Sequence, residues 1–296
     1  MPDTLPNTLI IGAMKASTTL LYTMLGQHPR VWFPSEKEPH YFTARDYDDP
    51  AAWERYRALF ASCPTDAQII AEASTNYTKQ PHFGDTPGRI REKLGEPKLV
   101  YILRDPVARV ISNYRHSYVI KRYASGTTAA QALDRDPILI AASRYAEQLD
   151  AYHSEFGEGS VHVVIAERLH DDPMGVMSEL AGFLGIDPID GWRQTPKAVN
   201  AIGELAASDR ADRLLGPAMR RRIAAMLPGG LKQRLKRAAA RDVPVPEVDD
   251  VTRERIYDAI QDDLARLHTM LGSAIDCWPS TKRMRDETTP QSAPAA

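Results

Sequence analysis

The stretch TLIIGAMKASTTL, from Thr8 to Leu20, decides the fold. Its first five residues, Thr8 to Gly12, form a short apolar run that predicts a buried parallel strand. A small polar loop follows, and helical character begins at Thr19 and continues to Leu25. Strand, loop and helix in this order predict the first unit of a parallel α/β sheet.

Further strands and helices are predicted along the chain. Apolar runs at residues 68–71, 98–103 and 161–165 predict three more strands, and helical spacing predicts helices over 107–120, 145–156, 177–184, 211–226 and 251–271. We therefore predict an α/β fold: a P-loop-like doubly wound parallel sheet flanked by helices, with a helical C-terminal region. One domain is expected over residues 1–278, and the Thr-, Pro-, Ser- and Ala-rich tail 279–296 is expected to be disordered.

Composition restricts the kind of site that this chain can carry. The 296 residues are 43% hydrophobic and 26% charged, which is ordinary for a globular protein, and the net charge is −2. An anion site must therefore be local, and no nucleic-acid partner is expected. Cys63 and Cys277 fit no metal-ligand spacing and are expected to be reduced. We find neither a secretory signal nor an apolar run long enough for a membrane span, so we predict a cytoplasmic protein.

The loop between Gly12 and Leu20 has the chemistry of a phosphate site. Small residues let backbone N–H groups approach an anion, the following helix presents its positive end, and Lys15 adds a charge. Ser17, Thr18 and Thr19 add hydroxyl donors. Lys15 precedes these residues, so the loop lacks the G-K-[ST] order of Mg-ATP enzymes. The alternative is an ordinary helix start, capped by Ser17 or Thr18, with Lys15 solvated.

A second anion site is predicted where KLVYILRDP, residues 98–106, ends. Ligands of open α/β sheets bind at the carboxyl ends of parallel strands, and Arg104 lies at such an end. Its guanidinium is suited to a phosphate, and Ser112 on the following helix can donate a hydroxyl to the same group. An ion pair between Arg104 and Asp105 is the simpler alternative.

Together, the two segments resemble the sulfotransferases that use 3′-phosphoadenosine 5′-phosphosulfate (PAPS). The loop is similar to that family's 5′-phosphosulfate loop, K-x-G-T-T, and the R-D-P strand end is similar to its 3′-phosphate motif. The segments PSEKEPHYF, residues 34–42, and AEASTNY, residues 71–77, resemble the Golgi carbohydrate sulfotransferases, especially the heparan sulfate branch. Ser17 departs from the family, which usually has Gly there. We find no copy of the family's late Lys-Gly-Arg motif, for which Lys197 or Asn200 are possible substitutes.

The resemblance assigns a role to each matching residue. Lys15 would contact the bridging oxygen and the 5′-phosphate, and Glu38 would be the general base, with His40 as the rival base. His116 lies where the heparan sulfate enzymes have an active-site His. The donor-binding residues would be Lys15, Ala16, Ser17, Thr18 and Thr19 at the 5′-phosphate, and Arg104 and Ser112 at the 3′-phosphate.

The implied reaction moves a sulfuryl group from PAPS to a hydroxyl or amino group of a sugar, glycolipid or small metabolite, leaving adenosine 3′,5′-bisphosphate (PAP). No metal is expected to be required, since Lys and Arg can neutralise the charge. A nucleotide kinase of P-loop type and a non-catalytic nucleotide-binding protein are the rival functions. The basic region 220–241 is an expected solvated helix face, with a weak membrane-surface contact or an acceptor-side role as the alternatives.

Overall fold

The computed structural model describes residues 4–120, 122–193 and 245–288. Contacts divide this part of the chain into two compact units. The first comprises residues 4–110, 138–193 and 254–288, and the second comprises the described residues of 111–137 and 245–253. The single domain predicted over residues 1–278 stays a prediction. The predicted helix 211–226, the basic region 220–241, Lys197 and Asn200 lie outside the described residues.

Among the described residues of the first unit, five parallel strands form one sheet in the order β2-β3-β1-β4-β5. The strands are β1 Thr8–Gly12, β2 Val31–Trp32, β3 Ile69–Ala73, β4 Lys98–Leu103 and β5 Val161–Ile165. The predicted bounds of β1, β4 and β5 are confirmed. The third strand was predicted at 68–71 and lies slightly later. The sequence analysis missed β2, because two residues carry no periodic signal.

Helices connect the strands and continue beyond the last one. Asp-Pro pairs begin three of them: Asp49 accepts the N–H of Ala51, Asp105 accepts that of Ala108, and Asp172 accepts that of Gly175, each at 2.9 Å. Proline suits the first helical position because its missing N–H needs no partner there. The helices are α1 Thr18–Leu25, α2 Pro50–Ala58, α3 Thr86–Leu94, α4 Pro106–Val119, α5 Ala129–Arg135, α6 Ile138–Ala141, α7 Tyr145–Phe156, α8 Ala166–Asp171, α9 Pro173–Leu184, α10 Asp250–Leu271 and α11 Pro279–Thr288.

Side chains of the central strands alternate between two apolar cores. In β1, Leu9 and Ile11 belong to one core and Ile10 belongs to the other. In β4, Tyr101 belongs to the first core and Val100 to the second. Residues of α7 and α10 complete the first core, and residues of α1 and α9 complete the second. Burial on both faces explains why the strands are continuous apolar runs, and it confirms the doubly wound α/β fold.

The helical C-terminal region is also confirmed. In the predicted apolar stripe of α10, Ile256, Ile260, Leu264 and Leu267 are at most 2% exposed. Leu264 and Leu267 belong to the first core, and the half-buried Leu271 packs against it. Trp278 follows, fully buried, and its indole N–H donates to Glu167 Oε2 at 2.8 Å. The apolar stripe is therefore core packing, as its spacing predicts.

The predicted disorder of the tail is wrong for residues 279–288, which form α11. The backbone N–H of Ser280 donates to Asp105 Oδ2 at 3.0 Å, and the side chain of Thr281 is fully buried. Composition alone suggested disorder, but these tertiary contacts fix the helix. Residues 289–296 lie outside the described residues.

The second unit has its own polar anchors. The hydroxyl of Tyr114 donates to the carbonyl of Thr127 at 2.7 Å. Asp136 accepts from the hydroxyl of Tyr123 at 2.9 Å and pairs with Arg122 at 3.0 Å. The first bond holds the segment after α4 against that helix, and the contacts of Asp136 hold the same segment against the end of α5.

Three expectations concern the chain as a whole. Cys63 and Cys277 are free thiols, as predicted. In the ranges that the structure describes, none of the helices has the length and apolar character to cross a membrane. Within the same ranges, no three His, Cys, Asp or Glu residues lie together as metal ligands do. Cytoplasmic location and metal independence stay predictions.

One buried carboxyl stands out in the sheet. Glu72 of β3 is 1% exposed and is enclosed by aromatic side chains. Burial raises the pKa of Glu72 from 4.5 to about 7, although the neighbouring hydroxyls of Tyr77, Tyr56 and Ser74 act in the opposite direction. The electrostatic interaction with His40 also lowers the pKa of Glu72. The fold therefore retains a proton on Glu72 that the unfolded chain releases more readily.

We predict that replacing Glu72 by Gln flattens the pH dependence of stability. Because the folded pKa is raised, the folded state binds the proton more tightly between 4.5 and about 7. The wild-type free energy of unfolding should fall as pH rises through that window, on the order of 3 kcal/mol. Urea unfolding at about pH 5 and about pH 8 measures this change in both proteins.

The exposed Glu54→Gln variant is the matched control, since Glu54 lies on the surface of α2. It should keep the wild-type pH dependence. An equal pH dependence in wild type and Glu72→Gln would contradict the assignment of the buried proton to Glu72.

Candidate active site

The candidate site lies where β1 and β4 end. These strands are neighbours and run parallel, so their carboxyl ends meet at the same edge of the sheet. The chain leaves β1 toward β2 and β3 on one side, and it leaves β4 toward β5 on the other. Such a reversal of strand order opens a crevice between the two strand ends. The loop that leads to α1 begins at this edge, and Arg104 follows the end of β4 at the same edge, as the sequence predicts.

The backbone of the loop forms a concave anion cradle. Lys15 and Ser17 have left-handed conformations, with φ of 73° and 68°, whereas Ala16 between them does not. Backbone that alternates in this way turns successive N–H groups toward one point, which is the geometry of an anion-binding nest. The first turn of α1, which contains Thr18 and Thr19, adds the positive end of the helix dipole.

Ser17 does not act as the ordinary helix cap that was the alternative interpretation. It occupies the N-cap position of α1, but its side chain makes no capping hydrogen bond. Its hydroxyl instead lies 3.0 Å from His170 Nε2 of α8. Glycine adopts a left-handed backbone without strain, which explains why the family that this sequence resembles usually has Gly at the position of Ser17.

Contacts behind the loop fix its path. The N–H of Ala13 donates to the carbonyl of Ile102 at 2.8 Å, and the hydroxyl of Thr78 donates to the carbonyl of Ile11 at 3.1 Å. Gly12 between them has φ of 148°, and a Cβ there would lie 2.1 Å from Thr78 Oγ1. Only glycine fits this approach of the loop to the underlying residues.

Arg104 faces the loop. Its Nη1 donates to the carbonyl of Lys15 at 3.4 Å, and its own carbonyl accepts from the hydroxyl of Tyr145 at 3.0 Å. The carboxylate of Asp105 accepts the backbone N–H groups of Ala108 and Ser280 at 2.9 and 3.0 Å. The structure therefore uses Asp105 to cap helices, and Arg104 is oriented toward the candidate phosphate site.

Lys15 lies among charged groups of the site. Burial lowers the pKa of Lys15, the positive charge of Arg104 lowers it further, and the negative charge of Glu38 raises it. Lys15 therefore interacts electrostatically with one cation and one carboxylate. An anion placed between Lys15 and Arg104 would relieve the repulsion between them.

Glu38 lies in the loop between β2 and the 3₁₀ turn Tyr41–Thr43. Its φ of 61° is left-handed, and its Oε2 accepts from the hydroxyl of Thr75 at 3.0 Å. His40 Nε2 lies 3.4 Å from Glu38 Oε2, and Lys37 Nζ lies 3.8 Å from Glu38 Oε1. Burial alone would raise the pKa of Glu38, but the contacts with His40, Thr75 and Lys37 outweigh it, so that the pKa is lowered. These contacts therefore favour the ionised form of the carboxylate.

Aromatic packing holds the segment that carries Glu38. Tyr41 and Phe42 begin a short 3₁₀ turn, Tyr41–Thr43, and are buried against Tyr56 and Tyr77. His40 has φ of 55°, and its backbone N–H donates to Ser74 Oγ at 3.1 Å. The last residues of the PSEKEPHYF segment are thus anchors, and they fix the polar residues before them.

Several residues of the site were missed by sequence reasoning. Lys37 Nζ donates to Thr19 Oγ1 at 2.8 Å and so joins the Glu38 segment to the first turn of α1. Thr75 fixes Glu38, and Lys79 Nζ lies 2.5 Å from Asn76 Oδ1 and 3.4 Å from Met14 Sδ behind the loop. Arg109 Nε donates to the carbonyl of Met14 at 3.1 Å. Lys37 and Thr75 lie in the segments singled out by resemblance, which was the available signal.

The predicted site is only partly assembled from the first unit. Lys15, Ala16, Ser17, Thr18, Thr19, Glu38 and Arg104 belong to it. Ser112 and His116 lie on the part of α4 that belongs to the second unit, and both are half-buried. Their participation in the site stays a prediction.

Comparisons with known proteins agree with this geometry. Residues 6–190, more than half of the chain, match the profile described as the Sulfotransferase family. The chain is 33% identical over 192 residues to human heparan sulfate glucosamine 3-O-sulfotransferase 3B1, covering 62% of this chain and 47% of that protein. It is 30% identical over 210 residues to the mouse bifunctional heparan sulfate N-deacetylase/N-sulfotransferase 4, covering 63% of this chain and 23% of that protein.

A solved structure extends the comparison to the fold. The crystal structure of a sulfotransferase from Alicyclobacillus acidocaldarius aligns with a TM-score of 0.57 and 26% identity, covering 71% of this chain and 96% of that one. The chain spans about half the length of the 3-O-sulfotransferase that it matches. The matched residues 6–190 contain the loop of Lys15, the Glu38 segment and Arg104. On this match, the chain belongs to the sulfotransferase family.

Proposed function

We propose that this protein is a sulfotransferase that moves a sulfuryl group from PAPS to a hydroxyl or amino group of an acceptor. The observation that carries the proposal is the loop of Lys15 at the end of β1, which Arg104 at the end of β4 contacts at 3.4 Å and which the bond from Lys37 to Thr19 joins to the Glu38 segment. Two cations can hold an anionic donor, and a carboxylate beside them can take the acceptor's proton. Family membership supports the same reaction.

The donor-binding part of the site suits a nucleotide with phosphates at both ends of its ribose. The nest at residues 15–17 and the first turn of α1 suit the 5′-phosphosulfate, with Lys15 at the oxygen that bridges phosphorus and sulfur. Arg104 and, by resemblance, Ser112 take the 3′-phosphate. Residues Ala16, Ser17, Thr18 and Thr19 surround the 5′-phosphate.

The chemical step requires a base, a leaving group and an in-line arrangement. The acceptor oxygen or nitrogen forms a bond to sulfur while the bond from sulfur to the phosphate oxygen breaks. The acceptor's proton passes to a Glu38 carboxylate oxygen, and PAP leaves with the electron pair of the broken bond. Lys15 contributes most in the transition state, because the charge on the bridging oxygen grows as that bond breaks.

His40 has a supporting part in this proposal. Its imidazole lies 3.4 Å from Glu38 Oε2, which allows it to orient the carboxylate and to balance its charge. The lowered pKa of Glu38 favours Glu38 as the group that is ionised before the proton is transferred. His116 is proposed as a further active-site residue from resemblance alone.

The acceptor is proposed from the names of the relatives. Two of them are named as heparan sulfate sulfotransferases, one for 3-O-sulfation of glucosamine and one for N-sulfation. A hydroxyl or amino group on a sugar is therefore the favoured acceptor, and a glycolipid or small metabolite is the alternative. Mass spectrometry of glycan and metabolite extracts, incubated with enzyme and PAPS, identifies the acceptor by the added sulfate mass.

A binding experiment separates the proposal from its rivals. Calorimetry should show binding of PAP and not of ATP with magnesium, because a P-loop kinase has the reverse preference. A transfer assay with PAPS then separates an enzyme from a non-catalytic nucleotide-binding protein. Binding of Mg-ATP alone would overturn the proposed donor.

We predict that Lys15→Ala lowers kcat by about 100-fold or more while the protein stays folded. The contact with the bridging oxygen is strongest in the transition state, so kcat falls more than donor binding does. Steady-state kinetics with PAPS measure the change, and circular dichroism verifies the fold. Lys282→Ala on the exposed side of α11 is the control and should keep full activity. Near-normal turnover of Lys15→Ala would contradict the role of Lys15.

We predict that Glu38→Gln lowers transfer by about 100-fold or more and leaves the Kd of PAP nearly unchanged. The amide keeps the size of the side chain but cannot accept the proton. The exposed Glu96→Gln variant is the matched control. If His40→Ala is inactive and Glu38→Gln is active, His40 is the base instead.

A further inference from the structure

Arg109 is a buried cation directly behind the donor loop. It lies in the first turn of α4, and its side chain is fully buried. Its Nε donates to the carbonyl of Met14 at 3.1 Å. Its Nη1 donates to the carbonyl of Leu139 at 2.9 Å and to Ser143 Oγ at 2.7 Å. One guanidinium therefore joins the loop to α6 and to the residues that precede α7.

These contacts fix the plane of the guanidinium. Arginine presents its N–H donors in a rigid fork, so bonds in two directions define its orientation. Ser143 is itself held, because its hydroxyl lies 3.4 Å from the carbonyl of Pro106. A lysine at the same position would keep the charge but not this fixed set of directions.

The bond to Met14 determines which way the next N–H points. In a planar trans peptide, the carbonyl oxygen and the N–H of the following residue lie on opposite sides. Because Arg109 draws the Met14 carbonyl inward, the N–H of Lys15 is turned away from the protein interior. That N–H belongs to the alternating segment of Lys15 to Ser17 that forms the nest.

Left-handed backbone at Lys15 needs such an anchor. A non-glycine residue adopts this conformation only where its surroundings over-determine it. Arg104 holds the carbonyl of Lys15, and Arg109 holds the carbonyl before it. The two arginines thus hold successive peptide groups of the loop, one beside the candidate phosphate site and one from beneath.

We propose that Arg109 is a positioning residue that holds the Met14–Lys15 peptide so that the donor loop is shaped for phosphate before the donor arrives. The inference rests on the proposed function, since it assumes that this loop binds PAPS. Arg109 does not touch the donor in this proposal. It acts through the direction of one backbone N–H and through the conformation of Lys15.

The test compares Arg109→Lys and Ser143→Ala with the wild type, using PAP as the calorimetric probe. Arg109→Lys should raise the Kd of PAP and the KM of PAPS by about tenfold or more, with the acceptor KM unchanged. Ser143→Ala removes one contact of the guanidinium and keeps the Met14 contact, so its Kd should stay within about threefold of wild type. A purely structural role for Arg109 would lower the folded fraction and leave the Kd of folded molecules unchanged.

The outcomes distinguish a failure of the proposed function from a failure of the positioning role of Arg109. If the wild type fails to bind PAP, the proposed function fails. If the wild type binds PAP and Arg109→Lys binds it equally well, the positioning role is overturned. For a variant that is purified but too unstable for calorimetry, the rise in Tm on adding PAP reports the affinity, and Arg109→Gln, which buries no charge, repeats the measurement. A Tm rise equal to that of wild type in these variants would also overturn the role.

Discussion

The parallel pairing of β1 with β4 is the constraint on which the site depends. Leu9 pairs with Leu99 and Ile10 with Val100, which places the last residues of both strands at one edge of the sheet. The register shifts between Ile10 and Gly12, just before the loop begins. Irregular pairing of this kind re-aims the chain, and here it directs the backbone into the anion cradle. Without this pairing, Lys15 and Arg104 would have no common edge on which to meet.

Strain is concentrated at this edge. The described non-glycine residues with positive φ are Lys15, Ser17, Glu38 and His40, and all lie in the two segments that form the site. Each left-handed residue costs about 1–2 kcal/mol, which the surrounding contacts must offset. Arg104 and Arg109 supply such contacts by donating hydrogen bonds to the loop of Lys15. In the other segment, the N–H of His40 donates to Ser74 Oγ, and the buried Tyr41 and Phe42 anchor the residues that follow. The sheet and its aromatic packing therefore stabilise the left-handed backbone of the candidate site.

The sequence predicted the fold better than it predicted the details of the site. Strands buried on both faces are short apolar runs, so β1, β4 and β5 could be located to the residue, whereas the two residues of β2 could not. Lys15 and Arg104 could be proposed as site residues because each follows a strand, and Glu38 could be proposed because its segment resembles the family. The contacts of Arg109 and Lys79 with Met14 span 95 and 65 positions of the chain, and such long-range contacts leave no local pattern in the sequence. The helix α11 was missed for the same reason, since Asp105 holds Ser280 from 175 positions away.

Ser17 stands where the family that the sequence resembles usually has Gly, and its contacts show what the serine contributes to the loop. The left-handed φ of 68° is easiest for glycine, and a serine there adds backbone strain. Its hydroxyl gains a contact with His170 Nε2 at 3.0 Å, which ties the loop to α8 after β5. Glycine would allow the loop more conformational freedom in the absence of a ligand, whereas serine restricts it. The substitution therefore exchanges an unstrained backbone for a further anchor, in line with a loop already held by Arg104 on one side and Arg109 beneath.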